Sequence, residues 1–177
     1  MIFRGRPQHV TVWRRFRSGH DGFTFDATPE GFFEAHVAAN AERAVDLLHV
    51  LSEHLPPAVD VAITDRRNKL SWQGTDIALP DVRDAIARLK VPLATYAGVD
   101  ITVYTAEDQL SLTAELDLYA FARSDRWLYL LQARGLERYG AVADKGWRAQ
   151  PWDRAPAAAL TAALAAAAER LSLSVAS

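Results

Sequence analysis

Polar and apolar residues alternate with a period of two near the start of the chain. From His9 to Arg17, two valines and a phenylalanine take one side, and mostly polar or basic residues take the other. Residues 18–22 contain two glycines, and the short run Phe23–Phe25 follows them. A turn between two stretches of period two is typical of a hairpin. The sequence therefore predicts a first β-hairpin here.

The next segment shows a helical spacing of apolar residues. Thr28, Pro29 and Glu30 supply an N-cap, a proline suited to a first turn and an early acid, while Pro56 marks the end of the pattern. Spacings of three and four residues form one apolar stripe, which predicts a long amphipathic helix from about residue 29 to about residue 55. The stripe consists of Phe33, Val37, Ala41, Ala44, Leu48, Leu51 and Leu55.

The middle of the chain predicts a second hairpin and a short helix. Residues 59–63 alternate, residues 65–68 have the composition of a turn, and residues 70–72 resume the alternation. Residues 81–89 then carry an N-terminal aspartate and three apolar residues at helical spacing. Because the residue before a proline disfavours helical geometry, Pro92 is expected to end this helix.

Four apolar runs separated by short polar links follow the short helix. They cover residues 99–105, 109–113, 116–123 and 127–133. Short links favour antiparallel neighbours, so these runs predict a four-stranded meander. An alanine-rich stretch from residue 154 to residue 171 carries leucines at helical spacing and predicts a C-terminal helix.

The predicted elements follow the order ββ-α-ββ-α-ββββ-α, which is typical of the α+β class with an antiparallel sheet. Half of the 177 residues are hydrophobic and 24% are charged, as in an ordinary globular protein. A chain of this length buries roughly 70% of its unfolded surface. We therefore expect one α+β domain over residues 1–177.

The composition indicates where the protein is located and which kinds of partner it can bind. The chain has no cysteine, so it offers neither disulfides nor thiolate metal ligands. No apolar window suits a secretory signal or a membrane span, so we expect a cytoplasmic protein without membrane contact. The strong preference for arginine over lysine and the many alanines favour a GC-rich bacterial genome. The net charge of −2 argues against a dedicated nucleic-acid binder.

Charge is distributed unevenly along the chain. Residues 4–17 hold five arginines and no acid, whereas residues 21–60 hold eight acids against one base. The simpler interpretation is that the basic segment packs against the acidic helix of its own chain or of a neighbour. The alternative is a phosphate-binding arm that uses Arg14, Arg15 and Arg17.

Motifs for catalysis and for cofactors are missing from the sequence. No glycine-rich phosphate loop and no nucleophile elbow occurs. His36 and His54 lie 18 residues apart in the predicted long helix, so they would be about 27 Å apart along its axis. We therefore expect no metal site, no cofactor and no catalytic residue, which favours a non-enzymatic role.

An enzymatic alternative involves Glu115 and Asp117. Together with Gln132 and Arg134 on the next predicted strand, they resemble the metal-binding strand pair of PD-(D/E)xK nucleases, which hold Mg²⁺ and orient water. Glutamine is a poor Mg²⁺ ligand, and arginine is too basic to accept a proton. The resemblance thus implies a metal-dependent hydrolase or nuclease, or a degenerate form of such an enzyme.

The strongest functional signal is an aromatic side of the predicted meander. If the leucines and valines of these strands face the core, tyrosine and phenylalanine side chains point the other way, and the last strand is apolar on both sides. The cover of this side is the alanine-rich helix, a protein partner or a small ligand. We favour an interaction module that forms a homo-oligomer. The candidate binding residues are Tyr104, Tyr119, Phe121, Arg123, Trp127 and Tyr129.

Overall fold

The computed structural model describes residues 21–140, 152 and 155–176. The first strand of the predicted N-terminal hairpin, residues 9–17, lies outside the described residues. Strands and helices are numbered here in chain order. They are β1 Gly22–Ala27, β2 Phe33–Ala38, α1 Ala41–Leu51, β3 Ala58–Asp65, β4 Leu70–Ala78, α2 Leu79–Tyr96, β5 Val99–Tyr104, β6 Asp108–Leu112, β7 Leu118–Ala122, α3 Arg126–Ala133, β8 Glu137–Arg138, α4 Ala158–Arg170 and β9 Ser174–Val175.

The described strands form one nine-stranded sheet in the order β8-β1-β2-β7-β6-β5-β3-β4-β9. Every neighbouring pair is antiparallel except β1 and β8, which are parallel. Alternate strand residues and the apolar sides of α1, α2, α3 and α4 form one buried core. The α+β class and the largely antiparallel sheet are therefore confirmed. In the described ranges, no helix has both the length and the apolar character needed to cross a membrane.

The predicted helix over residues 29–55 is wrong in its first part. Residues Phe33–Ala38 form β2, and the helix begins only at Ala41. The side chain of Asn40 accepts a hydrogen bond from the backbone of Arg43 at 3.0 Å and caps the helix. Phe33 and Val37 misled the sequence argument because a spacing of four keeps two residues on one side of a strand as well as of a helix.

The predicted short helix over residues 81–89 is longer than expected. It runs from Leu79 to Tyr96 and contains Pro92 in its interior. Proline removes one hydrogen bond of the helix, which costs about 3 kcal/mol in an isolated helix interior. Leu93 and Ala94 are buried beyond it, so tertiary packing continues the helix past the proline.

The last strand of the predicted meander is also wrong, because residues 126–133 form α3. Trp127 and Leu131 are both fully buried at a helical spacing of four. A run with apolar residues on both sides of a strand also fits a short helix with one buried stripe, and here the helix forms. The second hairpin, the other three meander strands and the alanine-rich helix are confirmed.

Candidate interaction face of the sheet

Alternation along the central strands separates a core side from an opposite side, which we call the outer face. Its side chains are partly exposed, whereas the residues between them are buried in the core. The registers of β1, β2, β7, β6 and β5 align these side chains in two rows across the sheet. The first row is Thr24, His36, Tyr119, Ser111 and Thr102, and the second is Asp26, Glu34, Phe121, Gln109 and Tyr104.

Stacked rings occupy the centre of the outer face. The rings of His36 and Tyr119 are nearly parallel, with their centroids 4.3 Å apart and their planes inclined by 7°. The ring of Phe121 continues the stack, 6.4 Å from that of Tyr119 and inclined by 11°. The contact of His36 with Tyr119 joins neighbouring strands, and such aromatic contacts contribute up to about 1 kcal/mol each to sheet stability. The stack therefore forms an aromatic centre on this face.

Hydroxyl and amide groups border the rings on the side of β5 and β6. The hydroxyls of Ser111 and Thr102 lie 3.1 Å apart and share a hydrogen bond. The side-chain amide of Gln109 donates to Ser111 Oγ at 2.8 Å. Their hydrogen bonds to one another leave these short side chains fixed beside the rings, so the stack stands next to an ordered polar strip.

The ring of His36 lies in a partly desolvated and acidic setting. Its Nε2 atom is 4.0 Å from Asp117 Oδ1, and that nitrogen is buried. Burial lowers the pKa of His36 from its ordinary value, and Asp117 and Glu34 oppose this effect by favouring the charged form. The neutral imidazole is therefore the favoured state at neutral pH.

The phenol of Tyr119 is held neutral by the same surroundings. Burial raises the pKa of Tyr119, and the charges of Asp117, Glu34 and Glu115 add to the rise. A raised pKa makes this phenol a poor source of phenolate at neutral pH. The phenol can donate and accept hydrogen bonds, but it is not poised as a nucleophile or a base.

A small cavity lies at the end of the outer face near Phe121. Its volume is about 230 Å³, and Phe32, Gln109 and Asp108 also line it. The guanidinium of Arg123 lies 4.6 Å from the centroid of the Phe32 ring. The cavity thus combines two aromatic walls with polar and charged groups, and it is large enough for one side chain of a partner.

The structure brings together only part of the predicted binding set. Tyr104, Tyr119 and Phe121 lie on the outer face as predicted, and Arg123 lies just beyond the end of β7. The prediction that Trp127 is a binding residue is wrong. Trp127 is fully buried in the core, and its indole N–H donates to the carbonyl of Phe121 at 3.1 Å.

The prediction that Tyr129 lies on the sheet is also wrong. Tyr129 lies on α3 and is 61% exposed. His36 was missed as a member of the outer face because the sequence argument put it in a helix. The alternation of buried Ala35 and Val37 with partly exposed Glu34 and His36 is the signal that identifies β2. Arg14, Arg15 and Arg17 lie outside the described residues.

The strand pair needed by the nuclease alternative does not form. Asp117 directly precedes β7, but Gln132 lies in α3 and Arg134 follows that helix. Arg134 instead donates to Glu53 Oε1 at 2.9 Å. Across residues 21–140, 152 and 155–176, no three acids and histidines come together in a group that fits a metal ion.

The C-terminal helix does not cover the outer face. Leu160 and Leu164 of α4 are buried in the main core, and α4 packs against α2. Of the three covers considered from the sequence, the chain's own alanine-rich helix is therefore excluded. Comparisons with protein-family models, with curated proteins and with solved structures gave no match to this chain.

Proposed function

We propose that this chain is a non-enzymatic protein-interaction module that self-associates through its outer face. The observation that carries the proposal is the stack of His36, Tyr119 and Phe121 on the side of the sheet opposite the helical core. Aromatic residues are enriched at protein interfaces because they bury a large area at a small cost in side-chain entropy.

A second copy suits this face because a two-fold pair places one patch against itself. In such a pair each residue contacts a symmetry-related position, so a patch must be complementary to its own rotated image. Flat aromatic rings meet this condition by offset stacking. The polar strip of Ser111 and Gln109 beside the rings supplies hydrogen-bonding groups for the rim of the interface.

Light scattering coupled to size-exclusion chromatography tests the proposal. The full chain is expected to show a mass above that of the monomer that rises with concentration. The double variant Tyr119→Ser, Phe121→Ser removes the central rings and is expected to remain monomeric. Tyr129→Ser is the matched control, since it removes an exposed tyrosine that lies on α3 and is not one of the outer-face residues.

Circular dichroism and thermal unfolding of each variant separate loss of association from loss of folding. If the double variant unfolds, Tyr104→Ser provides a milder change on the same face. A chain that stays strictly monomeric at high concentration contradicts the proposal. Equal association of the wild type and a folded double variant contradicts it as well.

A further inference from the structure

Carboxylates lie on two sides of the stacked rings of the outer face. Asp26 and Glu34 are directly opposite each other on β1 and β2. Asp117 lies on the other side of the stack, within 4.0 Å of the imidazole of His36. The charges of Glu34 and Asp117 act on both His36 and Tyr119. The outer face therefore presents an aromatic centre with carboxylates on two sides and Arg123 at the end near Phe121. The two acidic sides suit a positively charged segment with aromatic side chains.

A segment with this composition occurs in the same polypeptide. Residues 4–17 contain five arginines and no acid, and Trp13 and Phe16 lie among the arginines. Arginine stacks on aromatic rings and pairs with carboxylates, so it meets both parts of the outer face. Its charge and its aromatic content are thus complementary to those of the face.

The segment also enters the described fold at the correct place. The chain joins β1 at Gly22, which is opposite Ala38 of β2. Val37 is opposite Leu118 of β7, so the position that continues the row from Ala38 is Asp117. Adjacent strands are about 4.8 Å apart, so Asp117 lies about 10 Å across the sheet from Gly22. Residues 18–21 link the segment to β1 and span up to about 14 Å when extended, so this short tether still reaches the row.

We propose that residues 4–17 bind in cis across the outer face, with arginines beside Glu34 and Asp117 and aromatic rings against Tyr119, and that they compete there with a second copy. A short tether supplies a millimolar effective concentration, which favours the segment of the same chain over that of another. The competition rests on the proposed self-association, whereas the docking itself does not.

Paramagnetic relaxation in the full chain tests the docking. Because the chain contains no cysteine, Thr11→Cys gives a single attachment site for a nitroxide label in the basic segment. We expect the label to broaden the amide signals of Tyr119 and Ser111 and to leave that of Tyr129 sharp. A label at Ala166→Cys, an exposed position of α4 on the helical side, is the control. High salt is expected to reduce the broadening because it screens the charges.

Mixing distinguishes cis from trans binding. Protein that is enriched in ¹⁵N and carries no nitroxide is combined at low concentration with ¹⁴N protein that carries the nitroxide. Binding in cis leaves the signals of Tyr119 sharp in this mixture. The same signals are broadened when one molecule carries both ¹⁵N and the nitroxide. Broadening in the mixture that equals the broadening within one molecule overturns cis binding in favour of the segment of a second copy. Absence of broadening in both samples overturns docking altogether.

Neutralising the segment tests the competition. Arg14→Ser, Arg15→Ser and Arg17→Ser together remove three charges. The segment then loses several weak exposed ion pairs with the face and competes less well, so we expect self-association to tighten by roughly tenfold. Arg88→Ser removes one exposed charge from α2 and is the control. Unchanged or weaker association of the triple variant overturns the competition. If the face still self-associates while Tyr119 is never broadened, the docking fails and the proposed function stands; broadening without self-association gives the reverse.

Discussion

The imidazole of His36 lies flat against the phenol ring of Tyr119, 4.3 Å away between centroids, as its direct cross-strand neighbour. Burial lowers the pKa of His36 and raises the pKa of Tyr119. Both changes favour the uncharged form, since desolvation penalises charge in either group. Folding therefore stabilises a neutral His36–Tyr119 stack at the centre of the outer face, near the charged carboxylates of Glu34 and Asp117.

The lowered pKa of His36 predicts that acid destabilises the fold. The folded state binds this proton more weakly than the unfolded state, whose histidine has its ordinary pKa of 6.5. The contribution to stability is therefore complete above pH 6.5 and is lost as the pH falls through and below that value. We expect the free energy of unfolding, measured with denaturant at a series of pH values, to fall on acidification more steeply for the wild type than for His36→Gln.

His49 provides a comparison, because its pKa is also lowered, first by burial and then by Arg83 and Lys90. His49→Gln should remove its own part of the pH dependence and leave that of His36 in place. An NMR titration of the imidazole signals assigns each part. A pKa of His36 at or above 6.5 in the folded protein would contradict the prediction.

Trp127 is predicted to be a stability residue and not a binding residue. Its side chain is fully buried, and its indole N–H donates to the carbonyl of Phe121. Trp127→Ala leaves a large cavity and removes the indole hydrogen bond, so we expect a loss of about 3–5 kcal/mol in the free energy of unfolding. Tyr129→Ala, two residues further on and exposed, should change it by less than about 0.5 kcal/mol. Equal effects of the two variants would contradict the assignment of residues 126–133 to a helix.

This pair of residues also shows where the sequence argument failed. In a strand Trp127 and Tyr129 share one side, whereas in a helix they differ by about 200°. The run from 127 to 133 has apolar residues on both sides of either element, so its periodicity does not decide between them. The strands of the meander that were predicted correctly, such as β5 and β7, alternate strictly between buried and half-buried residues. Alternation identifies an element only when one of its sides stays polar or half-exposed.

The outer face was predictable for the same reason, but only in part. Tyr104, Tyr119 and Phe121 follow from the alternation of the meander, which fixes the side of every residue. His36 joins them through the pairing of β2 with β7, two strands that are about 80 residues apart in sequence. Nothing local in a sequence specifies such a contact. The place of His36 at one end of the stack thus depends on tertiary topology.

Asn40 is predicted to set the start of α1. It has an extended backbone conformation, and its side chain accepts a hydrogen bond from the backbone N–H of Arg43. Asn40→Ala removes this cap, and we expect the free energy of unfolding to fall by about 1 kcal/mol. Glu30→Ala is the control, because Glu30 is exposed in the turn before β2, although a helix from residue 29 would use it in the first turn. A larger loss for Glu30→Ala would favour the long helix.

Replacing Gly98 is predicted to destabilise the fold, because of the residues around Gly98 as well as its backbone conformation. Its φ of +77° is matched by the +80° of Gly31, so alanine meets the same backbone strain of about 1 kcal/mol at either position. A Cβ at Gly98 would lie 2.5 Å from Arg67 Nη1 and 2.9 Å from the ring of Trp152, whereas a Cβ at Gly31 meets no atom within 4 Å.

Displacing Arg67 is costly, since its guanidinium donates to the carbonyls of Tyr96 and Ala97 at the end of α2. Gly98→Ala is therefore expected to lower the free energy of unfolding by about 1–3 kcal/mol more than Gly31→Ala does, as overpacking adds to the shared strain. Denaturant unfolding of the two variants measures the difference directly. Equal losses would show that Arg67 and Trp152 yield without cost, and the close packing around Gly98 would then contribute nothing to stability.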